Sequence, residues 1–287
     1  MNRFWLTIFT LTLLIAPFSV KAAEPTVSSV RVGVSTNGPN VSPLNLAPNS
    51  NVNLYVNGTV SDADGFSDIL SVSVVFYRSG VTNGVDCSSD KNNCYRPANC
   101  NLSNGNGNEI DYSCQINVAY FADPTDAGDY AAETWKARVR VTDTTVSVDN
   151  DTYNNEIQSM LAISPTPSNI NFGNLNLDAI SNSIRVDIKN TGNVAADGYI
   201  SSGGNLTCLL GSIAVANQKY GRTDTDYNTL EYTMSTTPNY ATLTLPAQTD
   251  DTTIVTDELY FRIKVPSVGV SGTCTGTINI NAISPQV

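Results

Sequence analysis

The sequence predicts an all-β fold, two tandem antiparallel β-sandwiches, on three observations. Apolar residues recur at every second position in many short runs, the period of a half-buried strand. Clusters of Pro, Gly, Asn and Asp separate those runs, as turns do between short strands. Beyond residue 22 no stretch sustains a helical apolar period, so little helix beyond short turns is expected.

Residues 1–22 read as a secretory signal peptide. Arg3 supplies the positive start, Phe4–Pro17 the apolar stretch, and Val20-Lys21-Ala22 precedes a cut after Ala22. The apolar stretch is shorter than the ~20 residues that span a bilayer. The mature chain, Ala23–Val287, is then about 265 residues, one large or two ordinary domains. A boundary near 159–165 divides it into 23–160 and 161–287.

Removing Arg3 and Lys21 leaves 13 basic against 26 acidic residues, net −13. Nucleic acid and anionic membranes need a basic face, so both are poor partners. The imbalance is sharpest in 23–160, with 7 basic and 16 acidic residues. The six cysteines fit an oxidising compartment and fall four and two: Cys87, Cys94, Cys100 and Cys114, then Cys208 and Cys274. Four cysteines allow three connectivities. The preferred one is local, Cys87 with Cys94 and Cys100 with Cys114, and Cys208 with Cys274 would close the second half. The spacings lack any C-x-x-C pair, which argues against zinc.

In chain order, Val30, Val32 and Val34 alternate as a first strand, followed by a Pro- and Asn-rich connection over 37–50. Val52–Val60 and Leu70–Phe76 are strands joined by the acidic turn Asp62-Ala-Asp64-Gly65-Phe-Ser-Asp68. Residues 79–113 hold all four N-terminal cysteines and almost no periodicity, and read as a long stapled insertion with room for recognition. Tyr112–Tyr120 alternates again, then the loop Asp123–Asp129 leads to Trp135, Ala137, Val139 and Val141. The opposite face of that run carries Lys136, Arg138 and Arg140, expected to pair with nearby carboxylates. In the second half Ile184–Ile188, Leu206–Leu210, Leu230–Met234, Ala241–Leu245, Leu259–Val265 and Cys274–Ile280 are the expected strands, with Asn190-Thr-Gly-Asn193 as a turn.

Two resemblances add to this reading. Gly58-Thr-Val-Ser-Asp-Ala-Asp-Gly65, Asp68-Ile and the run from Trp135 to Asp143 resemble PKD and cadherin-like modules of microbial surface proteins. Pro167-Ser-Asn-Ile-Asn-Phe-Gly173, the Asn190–Asn193 corner and Val270-Ser-Gly-Thr-Cys-Thr-Gly276 are similar to another immunoglobulin-like module. The resemblances imply two tandem immunoglobulin-like sandwiches and a role in stalks, adhesins, envelope components or modules attached to exported enzymes.

The chain has no histidine, which removes Ser-His-Asp and Cys-His sites and the usual general base. No phosphate-binding or dinucleotide fingerprint is present. A non-enzymatic protein is expected. The one candidate cofactor is calcium, held by Asp62, Asp64, Asp68, Asp123, Asp126 and Asp143, if two Asp-rich loops meet at one end of a sandwich. The competing reading is that these aspartates form Asx-turns and cap strand ends. The leading expectation is a secreted or cell-surface structural or adhesion protein. Its partner would be a protein or glycan, or further copies through edge strands at Val30–Val34 and Ile278–Val287. A carbohydrate-binding module would need exposed coplanar aromatics, drawn from Tyr95, Tyr112, Tyr120, Tyr130 and Tyr153. A small hydrolase would need two carboxylates in a cleft.

Overall fold

Strand formation follows the two-residue period wherever an inward face is apolar. A computed structural model describes residues 23–36, 38–96, 100–144 and 147–286; the signal-peptide region lies outside them. The first nine strands are β1 (Thr26–Val27), β2 (Arg31–Gly33), β3 (Val52–Ser61), β4 (Ser71–Arg78), β5 (Cys94–Tyr95), β6 (Asn101–Asn106), β7 (Glu109–Val118), β8 (Trp135–Thr142) and β9 (Ser147–Asn155). They form two antiparallel sheets, ordered β1-β3-β7-β6 (with β2 also on β3) and β5-β4-β8-β9. Lettered in chain order these are A-B-E-D facing C′-C-F-G, the immunoglobulin arrangement.

The two sheets close on one core. Trp135, Ala137, Val139 and Val141 of β8 are fully buried, while Arg138 and Arg140 on its other face share Asp149, Arg140 Nε at 2.8 Å. That hydrogen bond holds the Asp149 carboxyl below its usual range. Trp135 stacks on Phe76 at 4.9 Å, and its indole N–H donates to the Asp123 carbonyl at 2.9 Å. The first predicted strand, Val30–Val34, forms only as the three-residue β2, and β1 precedes it. Val32 pairs with Val56 and is buried, while Val34 beyond the strand is exposed, and among the described residues β2 pairs with β3 alone.

The segment 79–113 is more structured than its composition suggests. It supplies β5, β6 and the start of β7, the C′ and D strands of the sandwich. Its pattern is hidden because β6, at the sheet edge, is exposed except at Leu102, which packs against the core. Disulfides Cys87–Cys94 and Cys100–Cys114 pin it in the expected connectivity.

The second set comprises β10 (Ile163–Thr166), β11 (Ile184–Asn190), β12 (Asp197–Ser202), β13 (Leu206–Leu210), β14 (Ser212–Ile213), β15 (Gln218–Gly221), β16 (Tyr232–Thr233), β17 (Asn239–Tyr240), β18 (Thr256–Ile263), β19 (Ser271–Thr275) and β20 (Ile278–Ile283). One sheet runs β10-β11-β18-β15-β16; the facing strands form β17-β12-β20 and β14-β13-β19. β12 with β13, and β19 with β20, are each one strand interrupted at Gly-containing positions, and the Cys208–Cys274 disulfide ties the pair at Cα–Cα 3.9 Å.

Two expected strands are not ladders over their length. Leu230–Met234 yields only β16, and Ala241–Leu245 keeps its alternation of buried Ala241, Leu243 and Leu245 as irregular chain. The positive φ of 56° at Thr242 turns the backbone out of register. Helical structure among the described residues is limited to four three-residue 3-10 turns.

The Asn190–Asn193 corner is the joint between the sandwiches rather than an ordinary surface turn. Asn193 is buried; its amide donates to the carbonyls of Ala122 (3.1 Å) and Gln158 (3.0 Å), and its carbonyl accepts from Met160 N–H (2.6 Å). A Cβ at Gly192 would stand 2.0 Å from the Met160 carbonyl, so the corner needs glycine there.

Candidate functional site

The ends of β3, β4 and β8 bring three aspartates together. β3 runs into Asp62, the turn returns through Asp68 to β4, and β8 ends at Asp143. Carboxylate oxygens of Asp62, Asp68 and Asp143 lie within 4.8 Å of one another. Asp62 and Asp143 are buried and Asp68 is half-buried. Thr144 Oγ1 donates to Asp68 at 2.9 Å and links the two loops. Asp62 Oδ1 accepts from Asp64 N–H at 2.9 Å, an Asx-turn, while Asp62 Oδ2 is buried without a hydrogen-bond partner.

The other expected ligands stand elsewhere. Asp64 turns away and accepts from Ala23 N–H at 2.6 Å. Asp123 and Asp126 lie at the opposite end of the sandwich, because β7 runs antiparallel to β3 and delivers its loop beside the joint. There Asp123 pairs with buried Arg78 at 2.8 Å; desolvation raises its carboxyl, against the pull of that guanidinium. Asp126 accepts from Ser159 N–H at 2.8 Å and Ser159 Oγ at 2.7 Å. The two Asp-rich loops therefore do not converge. One carries a carboxylate cluster and the other ties the sandwich to the linker.

A second feature had no clear mark in the sequence. In the first sandwich β9 covers the outer edge of β8. In the second, the strand equivalent to β8 is β19–β20, and among the described residues no strand pairs with its outer edge. Across from that edge the chain 167–177 runs without joining any ladder. Between them lies a groove of about 1520 Å³ whose lining residues carry no charge. Ile170, Phe172, Leu175, Ile278 and Ile280 border it and are only partly buried. The Ile170-x-Phe172 spacing was the available signal: two apolar residues on one face of a segment with no strand partner nearby in sequence.

The aromatics that a glycan platform would need are mostly interior: Tyr95, Tyr112, Tyr120 and Tyr153 are buried, and Tyr130 lies half-buried under Arg78, 3.7 Å from the ring centre.

No protein-family model matches the chain, and no curated protein matches it. Among solved structures it is similar to the CsuC–CsuE chaperone–tip adhesion subunit pre-assembly complex from archaic chaperone-usher Csu pili of Acinetobacter baumannii. That match has 10% identity and a TM-score of 0.37, covering 88% of this chain and 99% of that one. It is also similar to a titin A168–A169 structure, with 12% identity, a TM-score of 0.28, and coverage of 90% and 96%. Likenesses of this size fix neither architecture nor activity, which rest on this chain's own residues. Those residues define a disulfide-stapled chain of two immunoglobulin-like sandwiches.

Proposed function

We infer that this is a secreted or cell-surface structural or adhesion protein that assembles by taking an extended strand from a different polypeptide into its second sandwich. The observation that carries this reading is the uncharged groove between 167–177 and β19–β20. One wall is the unpaired outer edge of β19–β20 and the other is chain outside any ladder, so an inserted strand would bond on two sides, and its alternate side chains would cover Ile170, Phe172, Ile278 and Ile280. The wall 270–281 suits a strand of about 40 Å. A donor of matching chemistry has apolar residues at alternate positions and no charge on its inward face. A different polypeptide is favoured because the alternating strands of this chain already face its own two cores. Three disulfides support an oxidising, exported setting. Among the described residues no helix is long and apolar enough to cross a membrane.

The test uses the mature chain with a twelve-residue peptide of alternating Val and Thr, read by amide hydrogen exchange. Binding with new protection confined to β19, β20 and 167–177 is expected. Protection elsewhere, or none at peptide excess, overturns the reading. So does concentration-dependent self-association of the unmixed chain that protects the same amides, which would make a second copy the occupant.

A further inference from the structure

We propose that Asp62, Asp68 and Asp143 form a calcium site at the tip of the first sandwich, away from the joint. Three carboxylates whose oxygens sit within 4.8 Å repel one another, and Asp62 and Asp143 do so nearly out of water. Like charges that close are stable together only if a proton or a cation intervenes. Among the described residues neither Asp62 nor Asp68 takes part in an ion pair; within this sandwich Arg78 pairs with Asp123 and Glu133, Arg96 with Asp86, and Arg138 and Arg140 with Asp149. Independently of the clustering, Asp62 Oδ2 is buried with no hydrogen-bond donor, although Asp62 as a residue is only 1% exposed. Native proteins rarely leave a buried carboxylate oxygen unsatisfied, because it then bears its desolvation without compensation.

The donor set selects the ion. All three side chains are hard oxygen donors, and the chain has no histidine and no cysteine outside its disulfides. That chemistry suits calcium or magnesium rather than zinc or copper. The donors come from two separate loops, between β3 and β4 and after β8, a flexible cage that calcium's wide coordination tolerates and magnesium's strict octahedron does not. The ion's role is structural: it would clamp together two loops otherwise joined across the tip by the Thr144–Asp68 hydrogen bond.

The experiment is calorimetric titration of the chelator-treated mature protein with calcium, and separately with magnesium, followed by thermal unfolding of each form. Calcium at one hundred times its Kd should raise the Tm by about 5 to 10 °C. Asp62→Asn should abolish both the heat and the rise, while melting in chelator at or above the wild-type temperature because a repulsive charge is gone. Asp68→Asn, at the half-buried position, serves as second variant if Asp62→Asn does not fold, and should weaken binding at least tenfold. Absence of calcium heat, equal binding by magnesium, or an undiminished shift in both variants overturns the proposal. The site is remote from the groove, so neither test bears on the other.

Discussion

The two sandwiches share a strand plan and differ in how it ends. In the first, β9 pairs along β8, and the residues facing the core from β8 are fully buried. In the second, β19–β20 holds the position of β8 with nothing beside its outer edge among the described residues, and Ile278 and Ile280 stay half-buried. The sheets that face them across each core are ordered alike, β1-β3-β7-β6 and β10-β11-β18-β15. One missing neighbour thus converts a closed core into a groove. Burial of apolar side chains, rather than their presence in the sequence, separates a core from a binding surface.

The largest effect should come from opening the closed sandwich. Trp135→Ala removes its central aromatic and should cost about 3 to 5 kcal/mol, seen as loss of amide protection in β3 and β7 while β11 and β18 keep theirs. Ile280→Ala, on the groove wall, should cost about 1 kcal/mol or less in the isolated chain, and clearly more once a strand peptide is bound. Equal costs for the two would erase the distinction between core and groove.

Next in size is the staple of the open sandwich. The Cys208–Cys274 bridge closes a separation of 66 residues, and a Cys208→Ser, Cys274→Ser double variant should lose about 4 kcal/mol on the chain-entropy account. Denaturant titration followed on β11 and β18 checks it. A loss under about 1 kcal/mol would show that the second sandwich is held without its staple.

The joint comes third. Gly192→Ala drives a methyl into the Met160 carbonyl and should cost on the order of 2 kcal/mol. Small-angle scattering should report a wider angle between the sandwiches with each core intact. An unchanged profile would mean that the corner does not set their packing.

The smallest effect is local. Hydrogen bonds from Thr252 and from the Thr253 N–H hold the Asp250 carboxyl down to about 2. A carboxyl depressed in the fold stabilises its turn above its ordinary value near 4, and that support is lost as pH falls through about 2. A carbon-detected NMR titration of Asp250 with a midpoint near 4 would remove the bonds to Thr252 and Thr253.

Much of the first sandwich was legible because its strands are amphipathic. Val52–Val60, Leu70–Phe76 and Trp135–Val141 each write an apolar face at every second residue, and the structure places them as β3, β4 and β8, except that Leu70 precedes β4 and is exposed. β9 was not legible, since Asp149, Asn150, Asp151, Asn154 and Asn155 give it no apolar stripe; it forms because β8 offers it a ladder. Of the six aspartates named as ligands, the two loops were visible but not their ends of the molecule. Strand direction decides that, and direction follows from pairing between residues some 50 positions apart.

By itself the sequence determined the inward faces of the amphipathic strands β3 and β8, where most turns fall and which cysteines are near neighbours, because those properties follow from local period and spacing. Tertiary structure alone decided that Asp62, Asp68 and Asp143 share one tip, that Asn190–Asn193 is a joint, and that β19–β20 has an open edge. Each of these depends on which strands lie side by side, and hydrogen-bond pairing across sheets leaves no mark on any single segment.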